Sequence, residues 1–154
     1  MLKYADYDIV FQEVPDEVSL AIYISNCPIG CSGCHSSFLQ GDVGDPLDEQ
    51  ALGRLLSRYG SGITCVCLMG GDADPAEVQR LARHIAAVHG LRVAWYSGRQ
   101  ELSDGIDCRS FNYIKLGPYV EALGGLDSKT TNQRMYSVAP DGSLTDITHR
   151  FWRH

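Results

Sequence analysis

Short apolar runs and longer amphipathic stretches alternate along this chain. Tyr7 to Val14 orders its residues like a strand, and Val18 to Ser25 (VSLAIYIS) is apolar enough for a more buried one. The Pro15-Asp16-Glu17 turn separates them, and a loop rich in Cys, Gly and Ser runs from Asn26 to Gly44. Leu47, Ala51, Leu52, Leu55, Leu56 and Tyr59 recur at helix spacing. Asp45-Pro46 is the expected start of that helix, with Asp as cap and Pro in the first turn, and Gly60 and Gly62 its end.

Ile63 to Met69 (ITCVCLM) predicts a buried strand. Asp74-Pro75 repeats the start signal, and Val78, Leu81, Ala82, Ile85, Ala86 and Val88 then predict a helix that closes at His89-Gly90. Leu91–Tyr96 and Asn112–Leu116 read as further strands, Val120–Leu123 as at most a short helix, and Gln133–Val138 as a last strand. Strands alternating with helices predict an α/β fold with a mostly parallel sheet and right-handed crossovers. A full eightfold βα barrel needs about 250 residues, so a chain of 154 has room for an incomplete, partial barrel in a single domain, 1–154. The sequence shows no internal repeat and no low-complexity segment.

Composition narrows the function. Apolar residues at 44% and charged residues at 21% are those of an ordinary globular chain. The net charge of −6 argues against a nucleic acid or an anionic membrane as partner, since both favour a basic patch. The nearest approach to one is Arg150-Phe151-Trp152-Arg153. No apolar run approaches the roughly 20 residues that span a bilayer, and Met1 to Asp6 is too polar for a signal peptide, so the expected location is the cytoplasm.

The cysteines carry the sharpest signal. Six is a high number for a cytoplasmic chain of this length, and three of them fall within Cys27-Pro28-Ile29-Gly30-Cys31-Ser32-Gly33-Cys34. The spacing is C-x3-C-x2-C, directly after a predicted strand, where α/β folds build their sites. Three thiolates on a tight loop hold three irons of a cubane cluster, and the fourth iron keeps an open position for a substrate. A zinc site of Cys27, Cys31, Cys34 and His35, or a disulfide, is the alternative chemistry for the same residues. Cys65 and Cys67 share one strand face and read as core thiols, and Cys108 as a loop thiol. His84 and His89 read as solvated helix residues, and Lys115 as a strand-end lysine that meets a carboxylate or extends to solvent.

At C-x3-C-x2-C the chain resembles the radical S-adenosylmethionine superfamily. Many members carry an aromatic residue before the third cysteine; Gly33 there is similar to the short activating proteins of anaerobic ribonucleoside-triphosphate reductase. Met69-Gly70-Gly71-Asp72 resembles the superfamily's Gly-Gly-Glu motif with Asp for Glu, and Asn132-Gln133-Arg134 resembles a C-terminal signature of the subfamily.

The resemblance implies one [4Fe-4S] cluster with Cys27, Cys31 and Cys34 as ligands. It implies S-adenosylmethionine held by Gly70, Gly71 and Asp72 through backbone carbonyls and carboxylate, and by Ser97 at the next strand end, with Asn132, Gln133 and Arg134 contacting nucleoside or partner. The implied activity is reductive cleavage of S-adenosylmethionine to a 5′-deoxyadenosyl radical, which installs a glycyl radical on the large subunit of the reductase. A flavodoxin or ferredoxin would supply the electron, and no side-chain acid or base is required beyond the cluster. Two rivals stand beside this reading: another radical enzyme, with a different glycyl-radical partner or a small substrate, and a non-catalytic metal-binding interaction module.

Overall fold

The computed structural model describes residues 2–25 and 44–152. Its centre is one open sheet of eight strands in the order β3-β1-β2-β4-β5-β6-β7-β8. The strands are β1 (Leu2–Val10), β2 (Ser19–Ile24), β3 (Asp45–Leu47), β4 (Cys65–Met69), β5 (Arg92–Tyr96), β6 (Tyr113–Leu116), β7 (Arg134–Val138) and β8 (Leu144–Asp146). Helix α1 (Glu49–Tyr59) precedes β4, and α2 (Pro75–His84) precedes β5. Among the described residues, no helix is long and apolar enough to cross a membrane.

The α/β expectation holds, and the mostly parallel sheet is corrected to a mixed one. Only β2, β4, β5 and β6 run parallel; β1 and β3 on one side and β7 and β8 on the other are antiparallel to their neighbours. For β1–β2 and β7–β8 the reason is connection length, whereas β6 and β7 are antiparallel across the longer segment 117–133. A parallel return needs a crossover of a dozen or more residues, and the eight residues between β1 and β2 or the five between β7 and β8 allow only a hairpin. The sheet is not closed, since β3 and β8 pair on one side only.

Alternate residues of the parallel strands divide the core. Leu20, Ile22, Val66, Leu68, Val93, Trp95 and Ile114 pack with Leu52, Leu55, Val78, Leu81 and Ile85 of the helical layer. The opposite face carries Cys65, Cys67, Ala94 and Met135, and is covered by Val14, Leu126 and Ile147 from connecting segments. Cys65 and Cys67 are therefore core thiols, as their spacing predicts.

Several boundaries differ from the sequence reading. The first strand runs Leu2–Val10 rather than 7–14, because the chain turns before Pro15 and swings Val14 into the helix-free face. Asp45-Pro46 opens no helix; it lies in β3 on the sheet edge, where a proline's missing N–H is tolerated. The cap of α1 is Asp48, whose carboxylate accepts from Ala51 N at 2.8 Å. The second start signal is the reverse case: Asp74 caps α2 and Pro75 is its first residue. That helix widens into a π-helical turn over Ile85–His89 and ends at left-handed Gly90, as the pattern predicts. Val120–Leu123 forms a turn closed by a Val120–Gly124 bridge, not a helix. His84 is not a solvated residue: its ring is largely covered, with Nδ1 3.4 Å from a Glu49 carboxylate oxygen.

Candidate functional site at the carboxyl rim

Four parallel strands all end on one rim, and the predicted residues collect there. Strand β2 delivers Ser25, buried, at the position that leads into the cysteine loop. Cys27, Cys31 and Cys34 themselves lie outside the described residues. Strand β4 ends at Gly70 and Gly71, with φ of 109° and 89°, a region that side chains disfavour. A Cβ on Gly70 would stand 3.0 Å from Ile24 O, so this glycine lets β4 approach the last residues of β2. A Cβ on Gly71 would stand 2.4 Å from Val78 Cγ2, so the close approach Gly71 permits is that of helix α2. The Gly70 carbonyl accepts from the Trp95 indole at 2.7 Å, and the Gly71 carbonyl from Asp74 N at 3.0 Å.

Asp72 reaches across to β5. Its buried carboxylate accepts from Ser97 Oγ at 2.6 Å and from Gly98 N at 2.8 Å. Both oxygens are thus engaged by the neighbouring strand end, and the Ser97 hydroxyl proton is committed to Asp72. Arg99 adds a guanidinium bond to the Asp72 carbonyl at 3.2 Å. Arg99 was not singled out in the sequence, although its position directly after Ser97-Gly98 is the signal that puts it on this rim.

The network continues to β6 and β7. Lys115, buried, donates to the carbonyls of Ser97 at 2.9 Å and Gly117 at 3.0 Å. Its ammonium also lies 5.5 Å from the centre of the Tyr96 ring. Gln133 Nε2 donates to the same Gly117 carbonyl at 3.4 Å, and Asn132 Nδ2 to Pro118 O at 3.1 Å. Asn132 Oδ1 is buried and accepts no hydrogen bond from the described residues. Gly70, Gly71, Asp72, Ser97, Asn132 and Gln133 therefore belong to one connected rim. Arg134 does not: it alternates with Met135 and pairs with Asp146 of β8 at 3.6 Å.

On the helix-free face, burial sets the titration of the groups beneath the rim. Burial pushes the Cys65 thiol up to about 12 and the Cys67 thiol well above its ordinary range. Tyr96 is likewise raised by burial. A cavity of about 580 Å³ opens beside this face, bounded by Glu13, Tyr96, Tyr119, Asp127 and Gln133 among others. Of its lining, only Gln133 is a candidate site residue in the sequence; Tyr96 ends β5, and Tyr119 and Gly124 to Ser128 come from a connecting segment with no periodicity to mark them. Among the described residues, no group of three His, Cys, Asp or Glu side chains is arranged to hold a metal ion.

No protein-family model matches the chain, and no curated protein or solved structure matches it.

Proposed function

We propose that this chain is a radical S-adenosylmethionine activase, in which Cys27, Cys31 and Cys34 hold a [4Fe-4S] cluster and the rim beside them binds S-adenosylmethionine. The observation that carries the reading is C-x3-C-x2-C directly after β2, the first strand of the parallel set, with Gly70 packed against the end of that same strand. Three thiols suit a cluster that keeps one iron open. Asn132 Oδ1, buried on the same rim and without a donor among the described residues, suits a ligand that brings hydrogen-bond donors.

On this reading the open sheet is an incomplete βα barrel of the radical S-adenosylmethionine type. A cluster held by Cys27, Cys31 and Cys34 would supply the one electron needed to split S-adenosylmethionine into methionine and a 5′-deoxyadenosyl group able to take a hydrogen from a glycine Cα of an anaerobic ribonucleotide reductase. The chain's own residues bind and orient. Asp72, Ser97 and Gly98 lock the β4 and β5 ends together, and Lys115 joins the β5 and β6 ends, so the backbone around the ligand stays in register. Asp72 acts in this scheme as a positioning residue rather than a direct ligand. The partners are the reductase large subunit and a flavodoxin or ferredoxin, in the cytoplasm.

The test is anaerobic. Purified protein should carry about four iron and four sulfide per chain, and with S-adenosylmethionine and dithionite it should release 5′-deoxyadenosine. Cys27→Ala, Cys31→Ala and Cys34→Ala should each abolish release, and Cys65→Ala, Cys67→Ala and Cys108→Ala should not. Full cleavage by any of the first three would remove the ligand assignment. A glycyl doublet in electron paramagnetic resonance of the reductase identifies the substrate, and cleavage without it points to another radical enzyme. Zinc in place of iron sinks the proposal.

A further inference from the structure

The cavity on the helix-free face has an oxygen-lined floor at Gly125. Gly125 faces it without a side chain. A Cβ placed on Gly125 would lie 3.8 Å from Asp127 Oδ1, 3.8 Å from Gln133 Oε1 and 4.0 Å from Tyr119 Cε1. Two oxygen acceptors and the edge of an aromatic ring thus converge on one empty point. The Gln133 oxygen is fixed in place, and Asp127 stands beside it at the exposed rim of the cavity. Gln133 is only 7% exposed, and its Nε2 donates to Gly117 O, which fixes the amide and turns Oε1 toward the cavity. No described residue donates to that oxygen. Asp127 supplies a negative charge beside it, and Glu13 lines the same cavity. Among the described residues lining it there is no lysine, arginine or histidine.

At Gly125 two acceptors, one of them a carboxylate, meet a ring edge, a set that suits a ligand group bringing donors and positive charge. We propose that this cavity binds a guanidinium or ammonium group, with Asp127 and Gln133 as its hydrogen-bond acceptors and Gly125 as the gap that admits it. The group belongs to an arginine or lysine side chain of a polypeptide or to a small amine. Neither iron nor S-adenosylmethionine enters this inference, so it stands or falls apart from the cluster chemistry.

Isothermal titration of the full chain tests it with three probes. These are an acetylated, amidated pentapeptide with a central arginine, the same peptide with neutral citrulline, and agmatine. The arginine peptide or agmatine should bind at least about tenfold more tightly than the citrulline peptide, the value of one charge-assisted hydrogen bond. Preference for the peptide assigns the cation to a polypeptide, and preference for agmatine assigns it to a small molecule. Asp127→Asn and Gly125→Ala should each lower the affinity by about tenfold with the melting temperature unchanged; the alanine methyl meets only ordinary contacts in the free protein. Cys27→Ala should bind as wild type does. Equal affinity for the arginine and citrulline peptides with no binding of agmatine, or unchanged affinity in both variants, would overturn the assignment.

Discussion

Asp72 shows how one residue can be found by its motif and still do something other than the motif suggests. Its carboxylate is taken up by Ser97 and Gly98, so its effect on a ligand is transmitted through the strand ends it joins. Gly71 is similar: what its missing side chain admits is Val78 of α2. A valine at Gly71 would disturb the core as well as any ligand, which makes it a poor probe of binding. The buried thiols give a cleaner residue-scale prediction. The thiolate is the reactive species, and burial holds Cys65 at about 12 and Cys67 higher than its ordinary range. At pH 8 in native protein, iodoacetamide should label both at least about three orders of magnitude more slowly than in denatured chain. Peptide mass spectrometry reads each site separately. Rapid native labelling of Cys65 would mean that the helix-free face opens to solvent.

At the scale of elements, two Asp-Pro pairs with the same local appearance have different fates. Asp74-Pro75 starts α2, whereas Asp45-Pro46 lies in an edge strand and the helix begins three residues later at Asp48. Local preference permits both outcomes. Pairing decides between them, because Asp45–Leu47 lies alongside Tyr4, Lys3 and Leu2 of β1. The consequence is measurable by urea unfolding. Asp48→Ala should cost about 1 kcal/mol, the usual value of a side-chain cap, while Asp45→Ala should stay within about 0.5 kcal/mol of wild type. The reverse order would return the helix start to Asp45.

At the scale of the molecule, the two ends of the parallel strands do separate work. The carboxyl rim gathers the candidate site. The amino ends are tied by one buried residue, Glu17. Its carboxylate accepts from Thr64 Oγ1 at 2.6 Å and from the Tyr113 hydroxyl at 2.8 Å, and lies 3.3 Å from the Arg92 guanidinium. Glu17 precedes β2, Thr64 precedes β4, and Arg92 and Tyr113 open β5 and β6, so all four strands meet there. Glu17→Ala removes the shared acceptor of two partly covered hydroxyls and the carboxylate facing Arg92, and should cost roughly 1–2 kcal/mol in urea unfolding. The arginine-peptide affinity at the far cavity should remain within about twofold of wild type, because distant sites act independently. A loss below about 0.5 kcal/mol would show that Glu17 does not clamp the strands.

Much of this was legible in residue order alone. The apolar runs of β2, β4, β5 and β6 and the amphipathic α2 announce themselves, because a buried strand and a half-buried helix impose periods that local chemistry must obey. The glycines after β4 and the serine after β5 were legible for a related reason: strand ends carry turn residues, and in a parallel set those ends share a rim. The triple-cysteine spacing is equally local, and it carries the chemistry proposed for the chain. The tertiary structure alone decided the rest. Edge strands β3 and β8 are too short to show a period and exist only through their partners. Arg134 stands apart from the rim network and pairs with Asp146, an outcome of strand alternation once the register of β7 is set. The cavity floor joins Gly125, Asp127 and Gln133, whose convergence depends on how an irregular segment folds back under a sheet. Such contacts are long-range, with no repeat along the chain to foretell them.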